Sequence, residues 1–245
     1  EVMISQQKQR EIMDALRRGT VPCQGLDHLA VGLHRFERAV DEGLASVKSG
    51  GSQFKAVRGE YGSGKTFFAR WLQERAKGQG FATAEVQISE TETPLHRLET
   101  VYRRLMERLS TANAQTGAFR GIIDDWFYAL EEDVIAAGSA SSSDEAALLR
   151  ETNALMEQRL QNVAKQAPAF AAALRGYRQA MAQGDSVVAD GLIAWLSGQP
   201  NVAASVKRFA SIKGDVDHFG ALSFLQGLLV ILRDSGHAGL IVTMD

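Results

Sequence analysis

The sequence predicts an α/β protein, in which a parallel sheet flanked by helices is interrupted by a large all-helical insertion. A short apolar run at 54–57 leads into a glycine-rich octet and then into an amphipathic helical pattern. Two further runs, 81–89 and 239–245, have the apolar content of buried strands. No strand-like run occurs within 111–217. Because helical and strand-like runs alternate outside that stretch, we expect a parallel sheet.

The octet matches the phosphate-loop pattern G-x-x-x-x-G-K-[ST] at every position: Gly59, Glu60, Tyr61, Gly62, Ser63, Gly64, Lys65 and Thr66. Its glycines allow the backbone to turn N–H groups toward an anion, and the following helix adds the positive end of its dipole. Lys65 provides charge for the outer phosphates, Thr66 provides a hydroxyl for Mg²⁺, and Phe67 opens the helix beside them. A chance glycine-rich turn would not have a strand-like run before it and a helix after it. The pattern therefore predicts a P-loop NTPase core.

Composition excludes several classes of protein. The chain has 245 residues and a formal net charge of −2, so it has no global basic field of the kind that nucleic-acid-binding domains have. Cys23 is the single cysteine, which rules out an internal disulfide and suits a reducing compartment. The most apolar stretch, 221–232, is too short to span a bilayer. We therefore expect a cytoplasmic protein that does not enter the membrane.

Helical periodicity and capping residues predict the order of the remaining elements. Thr93 with Pro94 is expected to start one helix, and Asp217 is expected to cap another. A single long helix is expected over 144–166 and a shorter one over 186–196. The predicted segments are an N-terminal helical segment leading into the nucleotide site (1–52), the first part of the ATPase core (53–110), the helical insertion (111–217), and a core helix with the Walker B strand (218–245).

The last run, Leu240 to Asp245, is an apolar strand that ends in an acid. A nucleotide site needs a carboxylate near Mg²⁺, and parallel sheets bind ligands at the carboxyl ends of their strands. Paired with the octet, this run predicts a Walker B strand rather than a chance strand end. We expect Thr66 and Asp245 to hold the metal and Lys65 and Asp245 to be the catalytic pair.

In hydrolases of this class the residue after the Walker B acid is commonly a glutamate that orients the attacking water. We therefore expect the natural protein to continue beyond Asp245. On this view the chain binds ATP, and hydrolysis belongs to the full-length protein.

One predicted helix has a basic face formed by Arg97, Arg104 and Arg108. A solvated face is the default for such charges, and contact with phosphate or DNA is the alternative. The turn at 90–92, which holds two glutamates, is expected to be a polar loop, with a position on the γ-phosphate side as the alternative.

Three stretches together resemble the BREX-system ATP-binding proteins of the BrxD type: the octet with the helix start that follows it, Ser89 to Tyr102, and Gly198 to Lys207. The resemblance extends from about Gln9 to Asp245. The octet is common to many NTPases, so the specific part is Ser89 to Tyr102.

This resemblance implies an ATPase of the AAA+ superclass, akin to origin-recognition proteins, that acts in phage defence beside a helicase and other BREX components. It also implies that Val31 and Gly32 form the segment that packs on adenine, although Leu33 stands where an arginine is usual. The family also has a C-terminal portion with sensor residues and DNA-contacting elements, which we expect to follow Asp245.

The function predicted from these observations is an ATP·Mg²⁺-binding module, most simply a homo-oligomer, that regulates or drives a BREX defence complex. The alternative is an ATP-gated DNA-binding adaptor of the origin-recognition kind with little turnover. A GTPase is disfavoured because no D-x-x-G or N-K-x-D element follows the octet. A small-molecule kinase is disfavoured by the N-terminal segment that resembles origin-recognition proteins.

Overall fold

The structure, a computed structural model, describes residues 5–22 and 24–245, so Cys23 lies outside the described residues. In this part of the chain no helix is both long enough and apolar enough to cross a membrane. A short 3-10 helix spans Leu26–His28, and the strands are β1 (Ala82–Val86) and β2 (Leu240–Met244). The α-helices are α1 (Gln6–Arg17), α2 (His34–Lys48), α3 (Lys65–Gly78), α4 (Leu98–Glu107), α5 (Ala118–Ala136), α6 (Glu145–Arg159), α7 (Gln161–Gln166), α8 (Pro168–Ala182), α9 (Ser186–Leu196), α10 (Ala204–Phe209) and α11 (His218–Asp234).

The two strands pair in parallel and form a two-stranded sheet. Ala82 lies opposite Leu240, and Val86 lies opposite Met244. Backbone hydrogen bonds continue past the strand ends, because the Ile88 N–H donates to the Asp245 carbonyl at 2.7 Å. This register places Asp245 beside the residues that follow β1. The strands predicted within 81–89 and 239–245 are both confirmed.

The predicted fold class is wrong in its sheet. Instead of a P-loop NTPase core with a parallel sheet flanked by helices, the described part of the chain is mostly helical with two strands. The apolar run at 54–57 has no secondary structure, and Phe54 is 92% exposed. A strand forms only where its backbone groups meet a neighbouring strand. Within the described residues no backbone hydrogen bond joins this run to β1 or β2.

One large hydrophobic cluster, which we call the helical core, contains most of the buried side chains. It joins one face of β1 to α4, α5, α7, α8, α9 and α11. Phe224 of α11 lies at its centre, with ring centroids of Phe170, Trp195 and Tyr102 at 4.9, 5.4 and 6.1 Å. Their tilted, edge-on arrangement is the favourable one for aromatic pairs. The helices between residues 111 and 217 thus pack against the sheet through this core.

Some helix ends lie where capping residues predict them, and others do not. Asp217 caps α11 as predicted, since its carboxylate accepts the Gly220 N–H at 2.7 Å. The single long helix predicted over 144–166 is wrong, because the chain breaks at Leu160 into α6 and α7. The predicted start at Thr93 is also wrong, since α4 begins at Leu98. The Thr93 N–H instead donates to Ser89 Oγ at 3.1 Å, which closes a turn.

Candidate nucleotide-binding site

The octet forms an exposed loop that leads directly into α3. Gly62 and Gly64 have φ angles of 79° and 90°, the left-handed conformation that glycine adopts without strain. Gly64 is the N-cap of α3, so the first N–H groups of that helix face the loop without helical partners. Ser63 packs closely against Gly59, because a Cβ at this position would lie 2.4 Å from Ser63 Oγ. This arrangement suits an anion at the start of α3.

Lys65 lies folded over the loop. Its ammonium donates to the carbonyl oxygens of Gly59 and Glu60, both at 2.8 Å. The Glu60 carbonyl also accepts the Ser63 N–H at 3.2 Å, while the Tyr61 side chain is fully exposed. The positive charge is therefore held at the mouth of the loop by two neutral acceptors, which an anion can replace with stronger, charge-assisted hydrogen bonds.

Thr66 and Asp245 meet although 179 positions separate them in the sequence. The Thr66 hydroxyl donates to Asp245 Oδ2 at 3.3 Å. The first turn of α3 supplies the hydroxyl, and the end of β2 supplies the carboxylate. Mg²⁺ prefers hard oxygen ligands and commonly takes one or two from protein, with phosphate oxygens and waters completing its shell. The donor set at this point of the structure fits that ion.

Val31 and Gly32 lie in the turn before α2. Val31 is 94% exposed, and Gly32 has a φ of 77°. The start of α2 contacts the start of α3, because the rings of Phe36 and Phe68 meet edge to face at 5.7 Å. Phe67, half-buried, precedes Phe68 on the same helix turn. The predicted base-contacting turn therefore precedes a helix that packs beside the phosphate loop, while contact with adenine stays a prediction.

A polar cleft of about 570 Å³ opens at the carboxyl ends of the strands. Asp245 lines it together with Arg104 and Arg108 of the basic face, whereas Arg97 does not line it. Arg104 pairs with Glu107 at 3.0 Å. Partial burial raises the pKa of Glu107, but hydrogen bonds from Gln199 and Arg104 outweigh it and lower that pKa below its ordinary value. Part of the basic face is thus neutralised within the chain. The lining residues are Arg70, Glu85, Gln87, Ile88, Ser89, Glu92, Thr93, Arg104, Glu107, Arg108 and Asp245.

Three side chains of α3 make contacts that local sequence patterns did not predict. Arg70 donates to the Val21 carbonyl at 2.6 Å, and the Trp71 indole donates to Asp27 at 2.8 Å. Glu74 accepts the backbone N–H groups of the 3-10 helix start, at 2.6 and 2.8 Å. A local sequence pattern does not identify these hydrogen-bond partners, because they lie 44 to 49 positions away in the sequence.

Comparison with known proteins agrees with the motif evidence. No curated protein and no solved structure matches the chain. The family model described as BREX system ATP-binding protein BrxC/D matches residues 4–245. This match confirms the resemblance inferred from the octet and from Ser89 to Tyr102. Since it covers nearly the whole chain, the protein belongs to the family of BREX system ATP-binding proteins BrxC/D.

Proposed function

We propose that this chain binds ATP together with Mg²⁺ at the octet and the end of β2. The single observation that supports this most directly is the hydrogen bond between Thr66 and Asp245. A hydroxyl at the start of the phosphate-loop helix and a carboxylate at a strand end are the two protein ligands expected for Mg²⁺ bound to a nucleotide. Their proximity has no local cause, because the two residues lie on different elements.

The roles follow from position. The N–H groups of Gly62, Gly64 and the first turn of α3 would hold the phosphates, and Lys65 would exchange its bonds to loop carbonyls for bonds to phosphate oxygens. Thr66 and Asp245 would hold the metal, which neutralises phosphate charge when bound. Binding of Mg·ATP is the activity that these residues support.

The decisive experiment compares two lysines. Lys65→Ala should weaken ATP binding at least about 100-fold, because a desolvated charge-assisted contact is lost, and should leave the melting temperature unchanged. Lys55→Ala is the matched control, since the Lys55 ammonium also donates to a backbone carbonyl, that of Ala39, at 3.0 Å, but lies outside the octet. Titration calorimetry with Mg·ATP measures both. Equal affinities in the two variants would refute the site.

In the cell we propose a regulatory or motor role in a BREX anti-phage defence complex. Membership of the BrxC/D family supports this role, and the ATP site provides the switch. Homo-oligomerisation, a helicase and other BREX components as partners, and a cytoplasmic location belong to the same proposal. ATP would shift the equilibrium between two states of the assembly by binding one of them more tightly.

The alternative is an ATP-gated DNA-binding adaptor of the origin-recognition kind. One observation favours it: within residues 5–22 and 24–245 the side chains of Arg97 and Arg108 make no hydrogen bond or ion pair. Such guanidinium groups suit phosphate contacts. Measuring duplex-DNA affinity with and without Mg·ATP separates the two functions. DNA binding that requires ATP, with negligible turnover, would favour the adaptor, whereas brisk turnover that DNA does not change would exclude it.

A further inference from the structure

We infer that Glu74 is a positioning residue for recognition of the nucleotide base, and that it acts by anchoring residues 25–32 to the phosphate-loop helix. The inference rests on the proposed function, because it assumes that a nucleotide occupies the octet. It concerns a residue outside the motif: Glu74 lies nine positions after Lys65, roughly 14 Å along the helix axis at 1.5 Å per residue. Glu74 therefore acts through the chain segment that it holds.

The Glu74 carboxylate acts as a two-pronged acceptor. Oε1 accepts the Gly25 N–H at 2.6 Å, and Oε2 accepts the Leu26 N–H at 2.8 Å. These are short, charge-assisted bonds to N–H groups that have no helical partner at the start of a 3-10 helix. Gly25 has a φ of 74°, which a side chain would strain, and Leu26 is fully buried. The carboxylate thus holds one defined backbone conformation.

The chain from this anchor to the base-contacting turn is short and internally bonded. The Leu29 N–H donates to the Leu26 carbonyl at 2.9 Å, and the Val31 N–H donates to the Leu29 carbonyl at 2.9 Å. The position of Leu26 therefore fixes the position of Val31, because the backbone between them has little conformational freedom. Five residues beyond Val31, Phe36 contacts Phe68 of α3. The turn that holds Val31 and Gly32 is thus attached to α3 on both sides.

Two neighbouring contacts strengthen the anchor. Arg70 holds the Val21 carbonyl at 2.6 Å, and Trp71 holds the Asp27 carboxylate at 2.8 Å. Arg70 and Trp71 lie one turn before Glu74 on α3, which begins at the phosphate loop. One rigid helix therefore sets both the phosphate site and the turn beside it. The exposed Val31 side chain is the group that this geometry offers to a base.

Binding of two ligands tests the inference, since inorganic tripolyphosphate would contact only the phosphate loop, whereas the base of ATP would also contact the turn. In Glu74→Ala, ATP affinity should fall about tenfold, or 1.4 kcal/mol, while tripolyphosphate affinity should not change. Glu74→Gln keeps one oxygen acceptor and should lose about threefold in ATP affinity alone. Fluorescence or calorimetric titration of the whole chain measures both ligands.

The matched control is Glu131→Gln. Glu131 pairs with the buried Arg178 inside the helical core, so this variant loses stability without touching α3 or residues 25–32. Its ratio of ATP to tripolyphosphate affinity should equal that of the unmodified chain. An unchanged ratio in both Glu74 variants would overturn the inference, whether the two affinities fall together or stay constant. If the unmodified chain binds neither ligand, the proposed function fails first, and the inference fails with it.

Discussion

The helical core and the loop edge, which we define as residues 51–64, differ in almost every physical respect. All residues of the loop edge are exposed, including Phe54. In the helical core, Trp126, Phe170 and Leu228 are fully buried. Burial of apolar surface is the main stabilising force in folding, so the helical core supplies stability. The loop edge supplies the backbone of the candidate phosphate site and leads directly into Lys65 and Thr66. Substitutions in the helical core should therefore change stability, and substitutions in the loop edge should leave stability nearly unchanged.

The largest expected effect compares one substitution in the two regions. Phe170→Ala should lower the free energy of unfolding by about 3–5 kcal/mol, because a fully buried ring leaves a cavity. Phe54→Ala should change it by less than about 0.5 kcal/mol, since that ring is solvated. Urea unfolding followed by circular dichroism measures both. A cost for Phe54→Ala above that bound would show that the loop edge is packed in solution.

Two glycines within helices differ in the space around them. A Cβ at Gly227 of α11 would lie 2.5 Å from the Phe170 ring, so Gly227→Ala should destabilise by about 1–3 kcal/mol through overpacking. A Cβ at Gly121 of α5 would meet nothing within 4 Å, so Gly121→Ala should stabilise by about 0.5–1 kcal/mol through backbone entropy. Thermal unfolding measures whether each variant is more or less stable than the unmodified chain. Effects of the same sign would contradict the packing around Gly227.

The smallest expected effect concerns the contact between α2 and α3, next to the loop edge. Hydrogen bonds from Arg75 hold the pKa of Asp41 below its ordinary value. Because the folded pKa is depressed, this pair stabilises the protein above the unfolded pKa of about 3.9, and the contribution disappears as the pH falls through the folded pKa.

Asp41→Asn should therefore lower the free energy of unfolding by about 0.2–1 kcal/mol at neutral pH. The effect is small because solvent screens the ion pair, since the Asp41 side chain is 41% exposed. The difference in melting temperature between the variant and the unmodified chain should shrink as the pH falls below about 3.9, the unfolded pKa of an aspartate. Melting curves from pH 7 to pH 3 provide the measurement. A difference that does not depend on pH would show that packing, rather than the ion pair, explains the loss.

Local signals in the sequence predicted much of the secondary structure. The helix over 186–196 has the predicted bounds, and Asp217 caps α11 as expected. Both observed strands were identified from their apolar residues. Each of these features depends on residues within one or two turns of each other, so a local pattern contains the necessary information. The loop formed by the octet belongs to the same class, since its left-handed glycines and the helix start at Lys65 lie within eight positions.

The wrong predictions share a different cause. The apolar run at 54–57 has strand-forming residues, but a strand needs a neighbour, and the chain places none beside it within the described residues. Thr93 does not cap a helix, because its N–H donates to the Ser89 hydroxyl and the chain forms a turn there instead. The break at Leu160 places this fully buried side chain in the helical core, a demand that helical periodicity does not reveal.

Residues close together in the sequence were enough to predict the glycine-rich loop, the family and most helices, because each of these depends on neighbouring residues. The hydrogen bond between Thr66 and Asp245, and those from Gly25 and Leu26 to Glu74, depend instead on tertiary packing. These contacts join residues 48 to 179 positions apart, and they exist because the parallel pairing of β1 with β2 and the packing of α3 bring distant backbone together. Contacts at such separations are set by the packing of the whole chain, which no local pattern encodes.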